Sequence, residues 1–231
     1  MEKIKFIKNM LIKQWLGVVG AIILLIFAWY GLSYALSAWK ESILMDKYEL
    51  DMQYKSFIDQ IKINKDDLSK NPDKYKKIAA TMDMGLQWYN LREWDLAVKW
   101  WKRGLNIEPN NEIGWTNLGN AYVEMKDYSE AEDAYENAME YARKGEAGGC
   151  LALADLYKYS YTDKKDKEIT VLLKCLKKHK DNRDLIARAA GYYRDTGDVP
   201  NAIIYFDKLW SMEPTMEVGE ELRDLRLKSE L

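Results

Sequence analysis

The strongest constraint on the fold of this chain is a stretch of sequence that occurs twice, 34 residues apart. The positions that keep this spacing are Met84 and Leu118, Gly85 and Gly119, Trp88 and Tyr122, Ala97 and Ala131, Trp101 and Tyr135, and Gly104 and Ala138. A period of 34 in a helical pattern indicates stacked helix–turn–helix units, because one unit alone leaves an apolar face bare. With 48% hydrophobic residues, plentiful helix formers and only four prolines, the composition also predicts an all-α fold.

The same pattern returns near the C-terminus. Ala190, Tyr193, Ala202 and Phe206 each lie 71 residues after their counterparts, which is three residues more than two periods. The unit between them therefore carries three extra residues. Its first helix places Ala154 and Tyr157 at the Gly and Tyr positions, and the charged stretch 162–167 lengthens its turn. Two registers remain open for its second helix: Glu168, Leu172 and Cys175, or Ile169, Leu173 and Leu176, of which the second buries no charge.

These positions resemble the tetratricopeptide repeat family. The second unit matches the family pattern at Trp115, Leu118, Gly119, Tyr122, Ala131, Tyr135 and Ala138. The resemblance implies an α-solenoid over residues 72–231 with four repeats, at about 78–111, 112–145, 147–182 and 183–216. Residues 217–231 have one narrow apolar stripe, Val218, Leu222 and Leu225, which predicts a capping helix with its other face in water.

The N-terminal part has a different composition. No charge occurs between Lys13 and Lys40, and residues 15–39 would form a helix of about 37 Å, enough to cross a bilayer core of about 30 Å. Trp15 lies near one end of this stretch, and aromatic residues crowd the other. We predict an uncleaved single-pass anchor; a cleaved signal peptide is the alternative, although the apolar run is long for one.

Flanking charge predicts the orientation of this anchor. The flank 1–14 contains four lysines and one glutamate, whereas acidic residues outnumber lysines just after the span. Lysines favour the cytoplasmic side, so the repeats would lie outside the cytoplasm, which points to a bacterial inner membrane. Residues 40–71 are predicted to form a helical neck with one apolar stripe, made of Ile43, Leu50, Tyr54, Phe57 and Ile61. The stripe either shields the first repeat or forms a short coiled coil or a helix that docks a partner. The polar stretch 64–73 predicts a turn and the domain boundary.

The resemblance implies that each unit's first helix lines a concave groove that binds a protein or peptide. The residues at those positions are Met82, Leu86, Tyr89, Thr116, Asn117, Asn120, Glu124, Asp155, Tyr159, Arg188 and Arg194. Some family members clamp a peptide's terminal carboxylate with Lys, Asn and Arg, but Met82 and Leu86 stand where Lys and Asn would be needed. We therefore expect no binding of chaperone-tail carboxylates, and instead an extended or helical segment of moderate hydrophobicity.

Other chemistry is sparse. The chain lacks catalytic and metal-ligand motifs, so no enzymatic activity, cofactor or metal is expected, and a net charge of −2 gives no attraction to nucleic acid. The single histidine, His179, is expected to be a solvated cation at a helix end. Cys150 and Cys175 lie on antiparallel helices of the third unit, either as two buried thiols or as a disulfide permitted outside the cytoplasm.

Taken with the anchor, the groove predicts a scaffold or accessory subunit of an envelope complex. Two alternatives remain: a membrane receptor or co-chaperone-like module with cytosolic repeats, and a regulatory subunit that docks an enzyme. The small residues Gly17, Ala21, Ser33 and Ser37 can support helix contacts in lipid, which leaves a homo-oligomer open.

Overall fold

A computed structural model describes residues 2–161, 163–164 and 166–230; within residues 2–21 it describes the backbone, and a side chain only for Val19. The described residues form eleven α-helices and no strand, which confirms the all-α prediction. Their contacts divide the chain into two compact units, residues 1–58 and 59–231.

The first unit is dominated by one long helix, α1 (Glu2–Glu49). Within it, Ile22–Glu49 is the one described stretch long and apolar enough to cross a membrane, and none of its apolar window is buried inside the protein. Leu24 and Trp29 are each 71% exposed. The helix extends beyond the predicted anchor 15–39 at both ends. The side chains of Trp15 and Ala21 lie outside the described residues.

The neck is not one continuous helix. α1 ends at Glu49, and α2 (Lys55–Ser69) begins after a turn. In this turn the Gln53 N–H donates to Asp51 Oδ1 at 2.9 Å, the local side-chain bond by which Asp competes with helix formation. α2 then runs through residues 64–69 of the stretch that was predicted to be a turn, and Asn64 Nδ2 donates to Asp83 Oδ2 of the next helix at 2.6 Å.

The second unit contains four antiparallel helix pairs in chain order. They are α3 (Lys74–Asn90) with α4 (Trp94–Ile107), α5 (Glu112–Met125) with α6 (Tyr128–Tyr141), α7 (Gly148–Asp155) with α8 (Lys167–Lys178), and α9 (Arg183–Asp195) with α10 (Val199–Met212). A last helix, α11 (Met216–Ser229), packs on α10. Its predicted stripe of Val218, Leu222 and Leu225 is buried, as a capping helix requires.

The repeated glycines permit the two helices of a pair to touch. A Cβ added to Gly85 would lie 2.3 Å from the Trp101 ring, and one added to Gly119 would lie 2.3 Å from the Tyr135 ring. Both rings are almost fully buried. The 34-residue spacing of small and aromatic residues therefore follows from one packing contact made twice, a ring of the second helix against bare backbone of the first.

The third pair carries the irregularity that the spacing predicted. Fourteen residues separate Ala154 from Glu168, against twelve between Gly119 and Ala131, and the surplus is taken up by a π-helical turn (Leu156–Ser160) and the coil after it. α8 adopts the first of the two registers, so Glu168 occupies the buried position held by alanine in the other pairs. Lys158 Nζ lies 3.8 Å from its carboxylate and offsets part of the cost of burying the charge.

The coil of the third pair is attached to the second pair through Glu132 of α6. This carboxylate accepts hydrogen bonds from Tyr157 Oη at 2.5 Å, Tyr161 Oη at 3.0 Å and Lys164 Nζ at 2.8 Å. Burial alone would raise the pKa of Glu132, but these donors outweigh it and lower the pKa to about 2. The lengthened turn is therefore held by a charged contact and not by apolar packing alone.

Candidate partner-binding groove

The first helices of the four pairs, α3, α5, α7 and α9, form the face on which the groove was predicted. α5 contacts α7 as well as its own partner α6, so the first helices of the second and third pairs are neighbours. At one register position these helices carry Leu86, Asn120, Asp155 and Gly191. We call the surface formed by this register and the side chains around it the groove.

The N-terminal half of the groove is aromatic and apolar. Leu86 is 44% exposed. Tyr89 is partly buried, with its ring centroid 4.8 Å from that of Trp94 and 5.6 Å from that of Trp101. Met82 turns inward instead: its terminal methyl group lies against Gly104 and Gly114, so it supports the neighbouring helices more than it lines the surface.

On α5, the predicted polar residues have distinct surroundings. Asn120 Oδ1 accepts a hydrogen bond from Tyr135 Oη at 2.7 Å, which fixes the side-chain amide at the groove surface. Thr116 Oγ1 donates to Glu112 Oε1 at 3.2 Å. Asn117 is partly buried, and Glu124 is exposed in the last turn of the helix.

The Glu124 carboxylate acts on two tyrosines of neighbouring helices. Burial raises the pKa of Tyr89, and the negative charge of Glu124 raises it further. Burial is also the main cause of the raised pKa of Tyr135, to which the charges of Tyr89 and Glu124 add.

The C-terminal half of the groove is ionic. Arg188 forms an ion pair with Asp155 of the preceding pair, and Arg194 contacts Asp195 at 2.9 Å and Glu221 of α11 at 3.2 Å. These two predicted arginines therefore connect α9 with α7 and with α11. Tyr159 is 70% exposed and belongs to the lining of a cavity of about 240 Å³ that also includes Asn120 and Asp155.

Two residues close to the predicted positions were not among the predicted ones. Gly191 holds the register position of Leu86, Asn120 and Asp155, and a Cβ added there would meet nothing within 4 Å. Lys158, on the π-helical turn, lies between Glu168 and Asp195 at 3.8 and 4.0 Å. Gly191 could have been predicted, because it lies 71 residues after Asn120, the spacing that relates the fourth unit to the second. Lys158 could not, because nothing in the sequence indicates the π-helical turn that positions it.

The expected solvated role of His179 is wrong. The side chain is 3% exposed, and its Nδ1 accepts a hydrogen bond from the Gly145 N–H at 3.0 Å. Burial lowers its pKa, and the charge of Lys178 lowers it further. The imidazole is therefore a neutral acceptor that joins the second and third pairs, because the chain after α6 folds back onto the end of α8.

The two cysteines lie side by side in the third pair. The sulfur atoms of Cys150 on α7 and Cys175 on α8 are 2.09 Å apart, with the Cα atoms 6.2 Å apart, which is disulfide geometry. Both residues are buried. Over the described part of the chain, no group of three or more His, Cys, Asp or Glu side chains could hold a metal ion.

Comparison with known proteins identifies the repeat. Residues 113–144, inside the predicted second unit, match the family model of the tetratricopeptide repeat. No curated protein has a sequence that matches this chain.

Several solved structures are similar to the chain. One is YrrB, described as a TPR protein with an unusual peptide-binding site, at 14% identity over 72% of this chain and 82% of that one, with a TM-score of 0.49. A second is the MamA protein, at 20% identity over 66% and 87%, with a TM-score of 0.48. A third is TTC0263, a TPR protein of Thermus thermophilus, at 17% identity over 66% and 82%, with a TM-score of 0.45.

Proposed function

We propose that this tetratricopeptide repeat protein is a single-pass membrane-anchored scaffold, or accessory subunit of an envelope complex, that holds a protein or peptide segment in its groove. The observation that carries the proposal is the groove itself. Exposed Leu86 on α3 and exposed Tyr159 on the turn after α7 are accompanied by the Asn120 amide and by paired charges. A surface with apolar anchors and a few fixed polar groups suits a peptide segment.

The membrane part of the proposal rests on α1. Its large apolar side chains from Ile22 to Trp39 are exposed, which is favourable in lipid and unfavourable in water. Two independent features support repeats outside the cytoplasm: the lysines of the flank 1–14 and the bonding distance between Cys150 and Cys175. Disulfides persist in oxidising compartments and are rare in the cytosol.

Reporter fusions test the orientation. Alkaline phosphatase, which is active only outside the cytoplasm, and a fluorescent protein that folds in the cytoplasm would each be fused after residue 231. We expect phosphatase activity without fluorescence. Fluorescence without phosphatase activity would instead establish the cytosolic alternative, a receptor or co-chaperone-like module.

Site-specific crosslinking tests the groove. A photoreactive amino acid would replace Leu86 in the groove or Glu130, which is exposed on the second helix α6, in the full chain in its native membrane. We expect a discrete adduct from position 86 that is absent from position 130. The adduct should disappear when Gly191→Trp fills the groove. The same adducts from both positions, or an adduct that persists in Gly191→Trp, would contradict binding in the groove.

A further inference from the structure

A cavity of about 560 Å³ lies between the loop from α6 to α7 and the loop from α8 to α9. Two hydrogen bonds join these loops. The Gly145 N–H donates to His179 Nδ1 at 3.0 Å, and Asn182 Nδ2 donates to the Gly145 carbonyl oxygen at 3.3 Å. The walls of the cavity are therefore held to each other, and none of the residues that line it belongs to the groove.

The lining of the cavity is basic. It contains four cationic side chains and one carboxylate, which are Lys144, Lys178, Lys180, Arg183 and Asp181. Arg183 contacts Glu213 at 3.3 Å. In the part of the chain that the structure describes, Lys144, Lys178 and Lys180 form no ion pair, although Lys178 reaches two backbone carbonyls of α6. The N-terminus of α9 also lies at this cavity and adds a partial positive charge. The surface therefore attracts anions.

A buried hydrogen-bond donor lines the same cavity. The His179 side chain is 3% exposed. Because its Nδ1 accepts the Gly145 N–H, the ring proton must be on Nε2. Over the described residues, this second nitrogen has no hydrogen-bond partner. A buried donor without an acceptor is unfavourable, so an acceptor atom supplied by a ligand would be favoured here.

We propose that this cavity binds a phosphate group, as the free ion or as a monoester. Such a group has close to two negative charges at pH 7 and at least three acceptor oxygens, which suits donors that approach from two loops. The lysines would supply charge, and His179 would supply a directional hydrogen bond. Two sources can present this group: a soluble phosphate and the headgroup of a phospholipid. The site does not depend on the function proposed for the groove.

Titration of the full-length protein in neutral detergent micelles tests the proposal. Two probes would be followed by phosphorus NMR line broadening at constant ionic strength. They are inorganic phosphate and dihexanoyl phosphatidic acid, a short-chain lipid with a phosphomonoester headgroup. We expect saturable binding. Binding of both probes would identify a site for the phosphate group alone, and binding of the lipid alone would identify a headgroup site.

Two cavity variants should weaken this binding. Lys144→Gln combined with Lys180→Gln should weaken it by about 2- to 30-fold, the range expected for two exposed ion pairs. His179→Asn keeps an acceptor for the Gly145 N–H but removes the Nε2 donor. It should weaken binding by about 10- to 100-fold, as expected for a hydrogen bond to a charged group. Circular dichroism would check that each variant is folded.

A matched control changes the same charge elsewhere. Lys102→Gln combined with Lys228→Gln removes two exposed lysines that do not line the cavity, and it should bind both probes as wild type does. Equal weakening in this control, wild-type affinity in either folded cavity variant, or no saturable binding of either probe would overturn the proposal. Binding of a blocked hexaglutamate peptide without binding of either phosphate probe would also overturn it, in favour of an acidic protein partner.

Discussion

Two glycines near the middle of first helices should respond in opposite ways to the same substitution. Gly119 of α5 faces its partner helix, and a Cβ added there would lie 2.3 Å from the Tyr135 ring. Gly191 of α9 faces the groove, and a Cβ added there would meet nothing within 4 Å. The change of Gly to Ala is chemically identical at both, so the difference isolates the packing contact.

The magnitudes follow from two terms. Alanine in place of glycine inside a helix contributes about 0.5–1 kcal/mol of stability at either position. At Gly119 the new methyl group must displace a ring that is 3% exposed and held by Asn120, and such overpacking costs about 1–3 kcal/mol. We expect Gly119→Ala to destabilise the protein by about 1–2 kcal/mol and Gly191→Ala to stabilise it by about 0.5–1 kcal/mol.

Thermal unfolding of the full chain in detergent, followed by circular dichroism, would measure both effects. For a folded unit of this size a change of 1 kcal/mol shifts the midpoint by roughly 2–4 °C. The midpoint should therefore fall by about 2–8 °C for Gly119→Ala and rise by about 1–4 °C for Gly191→Ala. A midpoint for Gly119→Ala at or above that of the wild type would refute the close approach of α5 and α6.

Three further predictions concern the third pair. Replacing Cys150 and Cys175 together by Ser should destabilise the protein by about 3.5 kcal/mol in chemical denaturation, as expected for a crosslink across a sequence separation of 25; two free thiols in the oxidised wild type by mass analysis would contradict the bond. Glu132→Gln should cost about 1–2 kcal/mol at pH 7 after allowance for solvent screening. Because the pKa of Glu132 is lowered to about 2, the stability that its carboxylate contributes should be complete above pH 4.5 and be lost as the pH falls toward 2. A difference in the free energy of unfolding between wild type and Glu132→Gln that stays constant over this range would contradict the lowered pKa. Burial raises the pKa of Glu168, and the charge of Lys158 partly offsets this effect. Wild type should therefore lose stability relative to Glu168→Gln as the pH rises above about 4.5 and Glu168 ionises. A difference in the free energy of unfolding that does not change with pH would contradict the burial of this carboxylate.

Periodicity predicted the helix pairs because it reflects a contact that every regular pair must make. The pair Gly119 and Tyr135 repeats the pair Gly85 and Trp101, because in each the aromatic ring packs against a helix backbone that carries no side chain at that position. The same argument located the irregular third pair. It left the register of α8 open between Glu168 and Ile169. The partner of the buried Glu168 is Lys158, which lies on the π-helical turn, and nothing in the sequence indicated that turn.

Local sequence was a weaker guide than the repeat spacing. Residues 40–62 contain no Gly or Pro, so nothing in their composition indicated the turn after Glu49, which a side-chain bond of Asp51 accompanies. His179 was misjudged because its neighbours in sequence are charged, whereas its neighbour in space is the Gly145 backbone. The groove positions followed from the family register, but the pairing of Arg188 with Asp155 depends on distances between units that one sequence does not contain.

The third pair has a consequence for how the stack unfolds. In a linear array each unit is stabilised only by its nearest neighbours, so one poorly matched unit in the interior divides the array into two segments that can melt separately. Here the mismatched unit is also the one joined by Cys150 and Cys175, held by Glu132 and bridged by His179. These contacts raise the coupling at the weakest boundary, so the four pairs should unfold in a single cooperative transition.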